Sequence, residues 1–239
     1  MNKELEKMEL DLGKPVEKKS KSNQTQKSIL TKADINTGKP FLLTKRFIDV
    51  VGSSIGLILT SPIMAWAIYR IKKEEKGSPV IFAQERIGKD GKSFTMYKFR
   101  SMCVDAEERL AELLDQNEIE GAMFKIKDDP RVTKIGKLLR KTSIDELPQL
   151  WNVLKGDMSL IGPRPGLSRE LVEYDEYDMQ RLLVKPGCSG LWQVSGRNDV
   201  HFKGMVDLDV EYIKNQSILN DIHIVLKTVK IMIKPNGAY

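Results

Sequence analysis

The stretch Phe47-Ile48-Asp49-Val50-Val51-Gly52-Ser53-Ser54-Ile55-Gly56-Leu57-Ile58-Leu59-Thr60-Ser61-Pro62-Ile63-Met64-Ala65-Trp66-Ala67-Ile68-Tyr69-Arg70-Ile71 decides the architecture. At about 25 residues it would run ~37 Å as a helix, enough to cross a bilayer. Two details favour a hairpin that enters and leaves on one side. Ser61-Pro62 falls near the middle, where proline removes a backbone hydrogen bond and a serine hydroxyl can compensate a freed carbonyl, so a break is expected there. Both ends are basic, Lys45-Arg46 before and Arg70, Lys72 and Lys73 after, and positive flanks favour the same, cytoplasmic side. Those cations would rest on anionic headgroups, with Asp49 paired to Arg46 or held in the headgroup layer. Gly52 and Gly56 form a G-x-x-x-G, which more often marks close packing than a dimer. A straight span and a buried core helix are the competing readings.

The surrounding chain gives three regions: a polar tail over 1–40, the membrane hairpin with its flanks over 41–76, and a cytosol-facing catalytic domain over 77–239. The tail shows no sustained apolar period and no signal-peptide core, which fits a disordered segment. The chain carries 39 Lys and Arg against 33 Asp and Glu, a net +6. Half of that excess lies in the first forty residues, so the rest is only modestly basic, and a nucleic-acid partner is not expected. Cys103 and Cys188 stand far apart without metal-ligand spacing and point to a reducing compartment. His201 and His223 belong to no recognisable triad, which disfavours a Ser/His/Asp hydrolase.

Within the domain, residues 79–84 and 93–100 read as two strands joined around Asp90-Gly91, a small hairpin. No Gly-Lys-Ser/Thr phosphate loop and no G-x-G-x-x-G are present. Phosphate recognition must come from elsewhere: the candidates are Lys98, Arg100 and Arg140, each of which reads equally as a solvated surface cation, and Arg164, set apart because Pro163 and Pro165 stiffen it. Helices are expected over 104–116, 131–140 and 170–181. Lys185-Pro186-Gly187-Cys188-Ser189-Gly190 reads as a turn-rich site rim, and Trp192 and Gln193 as core packing in preference to base stacking. Ile222, Val225, Leu226, Val229, Met232 and Ile233 recur at helical spacing opposite Lys227, Lys230 and Lys234, suited equally to lying in the headgroup plane or to packing on the core. The fold class is α+β, mainly helical: a re-entrant helix-break-helix plus a small domain with a short β-hairpin and interfacial amphipathic helices.

The chemistry is expected at Ser143-Ile144-Asp145-Glu146-Leu147-Pro148-Gln149-Leu150. Ser143 and Glu146 have capping-box spacing. Pro148 would then sit in the second turn and lack the N–H owed to Ile144, so a regular helix more plausibly starts at or just after Asp145. That would set Asp145 at a helix N-terminus, where an ionised carboxylate and a nearby phosphate are favoured.

Taken in order, Lys45-Arg46 with Asp49, Ser61-Pro62, Gln84 to Gly88, Tyr97 to Met102, Ser143 to Leu150, Asn152 to Leu160, Gly162 to Pro165 and Lys185 to Gly187 resemble the bacterial sugar transferase family, the monotopic polyprenyl-phosphate phosphoglycosyl transferases. The resemblance covers the chain from Lys45 onward. It implies an enzyme of the inner (cytoplasmic) membrane, facing the cytoplasm, that moves a hexose 1-phosphate from a UDP-sugar to undecaprenyl phosphate, releases UMP and initiates exopolysaccharide or capsule repeats. It also implies Mg²⁺ and a covalent phosphosugar on Asp145, with Glu146 in support, and Lys98, Arg140 and Arg164 on phosphate or nucleotide oxygens. Asp145 is the carboxylate expected near the metal, and Lys45, Arg46, Ser61 and Pro62 are the expected anchor. The ending Pro235 to Tyr239 resembles members that transfer glucose or galactose 1-phosphate. A homo-oligomer stays open, and the alternative in another class is a non-catalytic membrane-anchored scaffold.

Overall fold

A computed structural model describes residues 29–118, 124, 126, 128–195 and 201–233. The expectations for the tail before residue 29, for Lys234 and for the ending Pro235 to Tyr239 lie outside these residues. The apolar stretch forms α1, Lys39–Glu74, which is long and apolar enough to cross a membrane. It opens with Pro40 in the first turn, where a missing N–H costs nothing, and closes with Lys72 and Lys73 against the negative end of the helix dipole. Where a break was expected, the chain stays helical through Pro62. The carbonyl of Ile58, deprived of its usual N–H donor by Pro62, accepts from Ser61 Oγ at 2.8 Å, so the lost bond is replaced locally.

After α1 come β1, Ile81–Ile87, and β2, Ser93–Phe99, paired antiparallel from Ile81 opposite Phe99 to Ile87 opposite Ser93. The connection places Asp90 at φ 58° and Gly91 at φ 75°, left-handed conformations that Asp tolerates and Gly adopts freely. The helix expected over 104–116 is mostly turns. Only Leu110–Leu113 (α2) is α-helical: Ala106 and Leu113 are buried, but Val104 and Leu114 are exposed, too little burial to support a longer helix. The next expected helix forms as α3, Lys134–Lys141, capped by Thr133 Oγ1 accepting from Gly136 N at 2.9 Å.

The remaining elements are α4 (Gln149–Lys155), β3 (Ser159–Ile161), α5 (Ser168–Leu171), β4 (Gly187–Ser189), α6 (Leu191–Ser195), α7 (Phe202–Lys214) and α8 (Ile218–Ile233). The expected helix over 170–181 divides into α5 and a 3-10 segment, Asp178–Leu183. The largest core gathers Ile161, Phe202, Met205, Val206, Tyr212, Ile213 and Ile224. Leu30 and Ile35, N-terminal to α1 and inside the region expected to be disordered, are buried in this core. Leu30→Ala and Ile35→Ala are each expected to cost about 2 kcal/mol, seen as a lowered melting temperature of the full chain.

α1 is docked along most of its length. Lys45 Nζ donates to Ile161 O, Tyr212 OH and Asp221, and Arg46 donates to Val153 O (2.6 Å) and Leu154 O (2.8 Å) at the end of α4. These two cations therefore do not face headgroups as expected. The unpaired carbonyls of a helix C-terminus and a buried carboxylate hold them instead. Asp49 likewise does not pair with Arg46. Its carboxylate is buried and accepts from Ser159 Oγ and Leu160 N, both at 2.9 Å. The G-x-x-x-G packs on this body: a Cβ at Gly52 would lie 2.7 Å from Leu160 Cδ1, and one at Gly56 3.0 Å from Leu150 Cδ1. Farther along, Ala67 and Ile71 bury against Phe99, Ile135 and Leu139. The outer side of α1 is apolar and exposed, Leu43, Ile58 and Leu59 each at 71%. On α8, Ile224 is buried and Val225 packs against the core, which is one of the two roles its pattern allowed, whereas Ile222, Leu226 and Val229 are exposed.

Candidate active site

The Ser143 to Leu150 segment folds neither as a capping box nor as a helix starting at Asp145. Ser143 takes a left-handed conformation (φ 56°) and makes no capping bond, Ile144–Glu146 forms one 3-10 turn, and α4 begins only after Pro148, which occupies its N-cap. Proline cannot donate to the carbonyl of Ile144, so the regular helix starts where that donor is no longer owed. Asp145 is thus presented by a tight turn ahead of the helix, and it is buried.

Asp145 and Glu146 line a cleft of about 410 Å³. Lys98, Arg100, Arg140 and Arg164 line the same cleft, so the structure brings together the acidic pair and the four cations singled out as phosphate-binding candidates. Lys98 Nζ donates to Glu146 Oε1 at 2.8 Å across a half-exposed ion pair. Arg140 reaches in from α3 and donates from Nε to Ser101 Oγ at 3.0 Å. Arg100 is turned partly aside, with Nε on Pro79 O at 2.7 Å. The expected rim forms with Gly187 and Cys188 in the wall, although as strand β4 paired parallel to β3 and not as a free turn. Cys103 and Cys188 are free thiols. Trp192 packs against the main core and also reaches the cleft wall.

Several supporting residues escaped the sequence reading. Arg86 is buried at the cleft and donates from Nη1 to Pro165 O at 3.1 Å, while Arg181 Nη2 donates to Arg164 O at 3.0 Å. Two buried guanidinium groups therefore hold the backbone of the Gly162 to Pro165 turn. Strand alternation carries a signal for Arg86: Phe82, Gln84 and Arg86 share the β1 face that lies across from Lys98, Met96 and Phe94 on β2. Asn152 ties α4 to β2, donating to Thr95 O at 2.6 Å and accepting from Tyr97 N at 3.0 Å.

Burial, and then the Glu146 charge, push the Asp145 carboxyl up to about 6 against the attraction of Lys98 and Arg140. A group that holds its proton more tightly when folded loses stability as pH rises from its unfolded value, near 3.8, through about 6. Asp145→Asn removes that cost. The variant should therefore be more stable than the parent at pH 8, by up to about 3 kcal/mol, with little difference at pH 4, as thermal unfolding at the two pH values will read.

A magnesium ion fits this donor set in a shared form. Among the described residues no group of three or more His, Cys, Asp or Glu side chains comes together. Two adjacent carboxylates suit an ion that keeps waters and takes further oxygens from substrate phosphates.

Comparison with known proteins returns the profile described as "Bacterial sugar transferase" over residues 41–235. "Galactosyl transferase CpsE" of Streptococcus agalactiae serotype III (strain NEM316) is 50% identical over 198 residues, 82% of this chain and 44% of that protein. "Undecaprenyl-phosphate galactose phosphotransferase" of Salmonella typhimurium (strain LT2) is 50% identical over 200 residues, 82% of this chain and 41% of that protein. "Exopolysaccharide production protein ExoY" of Rhizobium meliloti (strain 1021) is 41% identical over 201 residues, 82% of this chain and 88% of that protein. The chain spans less than half the length of the first two relatives.

Proposed function

The chain belongs to the bacterial sugar transferase family, and on that premise we propose that it transfers a hexose 1-phosphate from a UDP-sugar to undecaprenyl phosphate, releasing UMP, to begin exopolysaccharide or capsule repeats. The observation that carries the reading is the single cleft in which a buried carboxylate, Asp145, faces Lys98, Arg140 and Arg164. That is a nucleophile beside cations fit for a diphosphate, which is what phosphoryl transfer asks of a protein.

In the first step an Asp145 oxygen attacks the sugar-bearing phosphorus, and the bond from that phosphorus to the bridging oxygen breaks as UMP leaves. In the second, a phosphate oxygen of the polyprenyl acceptor attacks the same phosphorus and the aspartyl oxygen departs as carboxylate. Lys98, Arg140 and Arg164 hold phosphate oxygens, and Arg100 supplies charge at the rim. Glu146 keeps Lys98 in place. Asp145 with Glu146 would hold a magnesium ion, which when bound neutralises diphosphate charge.

The lipid acceptor requires the cleft at headgroup height, and a re-entrant α1 meets that need. Support comes from the two ends of α1: Lys45 and Ile71 touch the same folded body although about 40 Å of helix separates them. A helix whose two ends rest on one body suits entry and exit through one membrane face. The body would then face the cytoplasm, where UDP-sugars are found. Galactose in the names of two relatives makes UDP-galactose the first donor to try.

The test incubates the purified chain in lipid nanodiscs with magnesium, undecaprenyl phosphate and UDP-galactose or UDP-glucose. UMP release with sugar phosphate on lipid is the expected result. No UMP from a full panel of UDP-sugars would refute the reading.

A further inference from the structure

We propose that the groove between the second half of α1 and the outer side of α3 is a binding site for the phosphodiester headgroup of an anionic phospholipid, distinct from the catalytic cleft. The inference rests on the membrane placement proposed above. The groove measures about 650 Å³ and is lined by Trp66, Tyr69, Arg70, Lys73, Lys134 and Leu138, together with buried Ile135 and exposed Glu74.

Its charge is one-sided. Among the described residues Glu74 is the only acid in the lining, and both of its carboxylate oxygens are engaged, accepting from Lys134 N and Ile135 N at 2.8 Å each. Arg70, Lys73 and Lys134 form no ion pair among the described residues and carry the remaining positive charge. The Arg70 guanidinium lies 5.6 Å from the Trp66 ring centroid, a stacking that holds it in place without neutralising it. Three cations around one trough match a phosphodiester.

The apolar half of the lining argues for a lipid in place of a soluble anion. Trp66, Tyr69 and Leu138 are exposed at 38%, 61% and 42% and continue directly into the bare apolar side of α1. Trp and Tyr favour the interfacial layer, where a ring can lie against glycerol and upper acyl carbons while a neighbouring cation takes the phosphate. This site also supplies what Lys45 and Arg46 do not: both of those are engaged inside the protein, so headgroup contact must fall to other cations.

The experiment uses the full chain in zwitterionic detergent micelles titrated with phosphatidylglycerol, phosphatidylcholine or undecaprenyl phosphate, with retained lipid counted by native mass spectrometry. R70E/K73E/K134E should lower phosphatidylglycerol affinity roughly a hundredfold and leave the weak phosphatidylcholine binding as it was. K72E/K76E/K137E, the same charge change outside the groove, should have little effect. Equal loss in both triple variants would mean general attraction and overturn the site. So would loss of undecaprenyl phosphate with phosphatidylglycerol retained, which would make the groove an acceptor site. Membrane pelleting separates the two claims. If the unaltered chain stays in the supernatant, the membrane placement fails; if it pellets yet shows no preference for phosphatidylglycerol, only the groove does.

Discussion

Asp145→Asn abolishes UMP release and leaves no phosphosugar on the protein, a loss on the order of 10⁴-fold in turnover or more, since the amide is isosteric but cannot attack phosphorus. The neighbouring change, Glu146→Gln, behaves differently. Glu146 is half-exposed and holds Lys98 at 2.8 Å, so its removal loosens one phosphate-binding cation and spares the nucleophile, with an expected loss nearer 10²-fold. The pH profile separates the two roles. Attack needs the Asp145 carboxylate, so activity of the parent falls as pH drops through about 6. Glu146→Gln removes one of the charges that raise this value and leaves Lys98 and Arg140 to lower it, so the acid limb should move to lower pH. An unmoved limb would mean that Glu146 does not act on Asp145 electrostatically. Full turnover in Asp145→Asn would rule out Asp145 as the nucleophile, whereas no turnover from the parent would return the chain to the scaffold reading.

The acidic pair, Arg164 and the long apolar helix were legible because each is a local pattern: adjacent carboxylates, a proline-flanked arginine, a long apolar run. The β-hairpin was legible for the same reason, its turn residues and alternation lying within one short stretch. What escaped depends on partners far along the chain. Lys45, Arg46 and Asp49 look like a charged flank beside an apolar run, yet their partners are Asp221, the end of α4 and the start of β3, more than one hundred residues away. The start of α4 was misplaced because a single 3-10 turn precedes Pro148, and such a turn has no sequence period of its own. Leu30 and Ile35 are two apolar residues in polar text, and nothing in their neighbourhood reveals the core that receives them. Strand alternation places Arg86 on the cleft face, but the bonds from Arg86 and Arg181 to the Gly162 to Pro165 turn were invisible because the carbonyls of Pro165 and Arg164 accept them, and any sequence supplies carbonyls.

Arg181→Met should lower stability by about 3–5 kcal/mol, because it strands Asp209, which is fully buried and accepts from Arg181 Nε at 2.9 Å. Loss of fold alone would then explain any loss of activity, so the informative variant is Arg181→Met combined with Asp209→Leu. Removing both charges replaces a buried pair by apolar groups and should recover most of the stability. Turnover should not recover. The same guanidinium donates to Arg164 O at 3.0 Å and to Tyr174 OH at 2.7 Å, so the repaired core still lacks the bond that fixes the phosphate-binding turn. Arg86 would be the one guanidinium left on that turn, through Pro165 O, beside the backbone bonds that tie Gly162 and Pro163 to β4. With Arg164 free to drift by an ångström, a fall of about tenfold to a hundredfold in kcat/KM for the UDP-sugar is expected, beside a near-parental melting temperature. Parental values of both would make Arg181 a core residue only, and Arg164 would then owe its position to its two prolines.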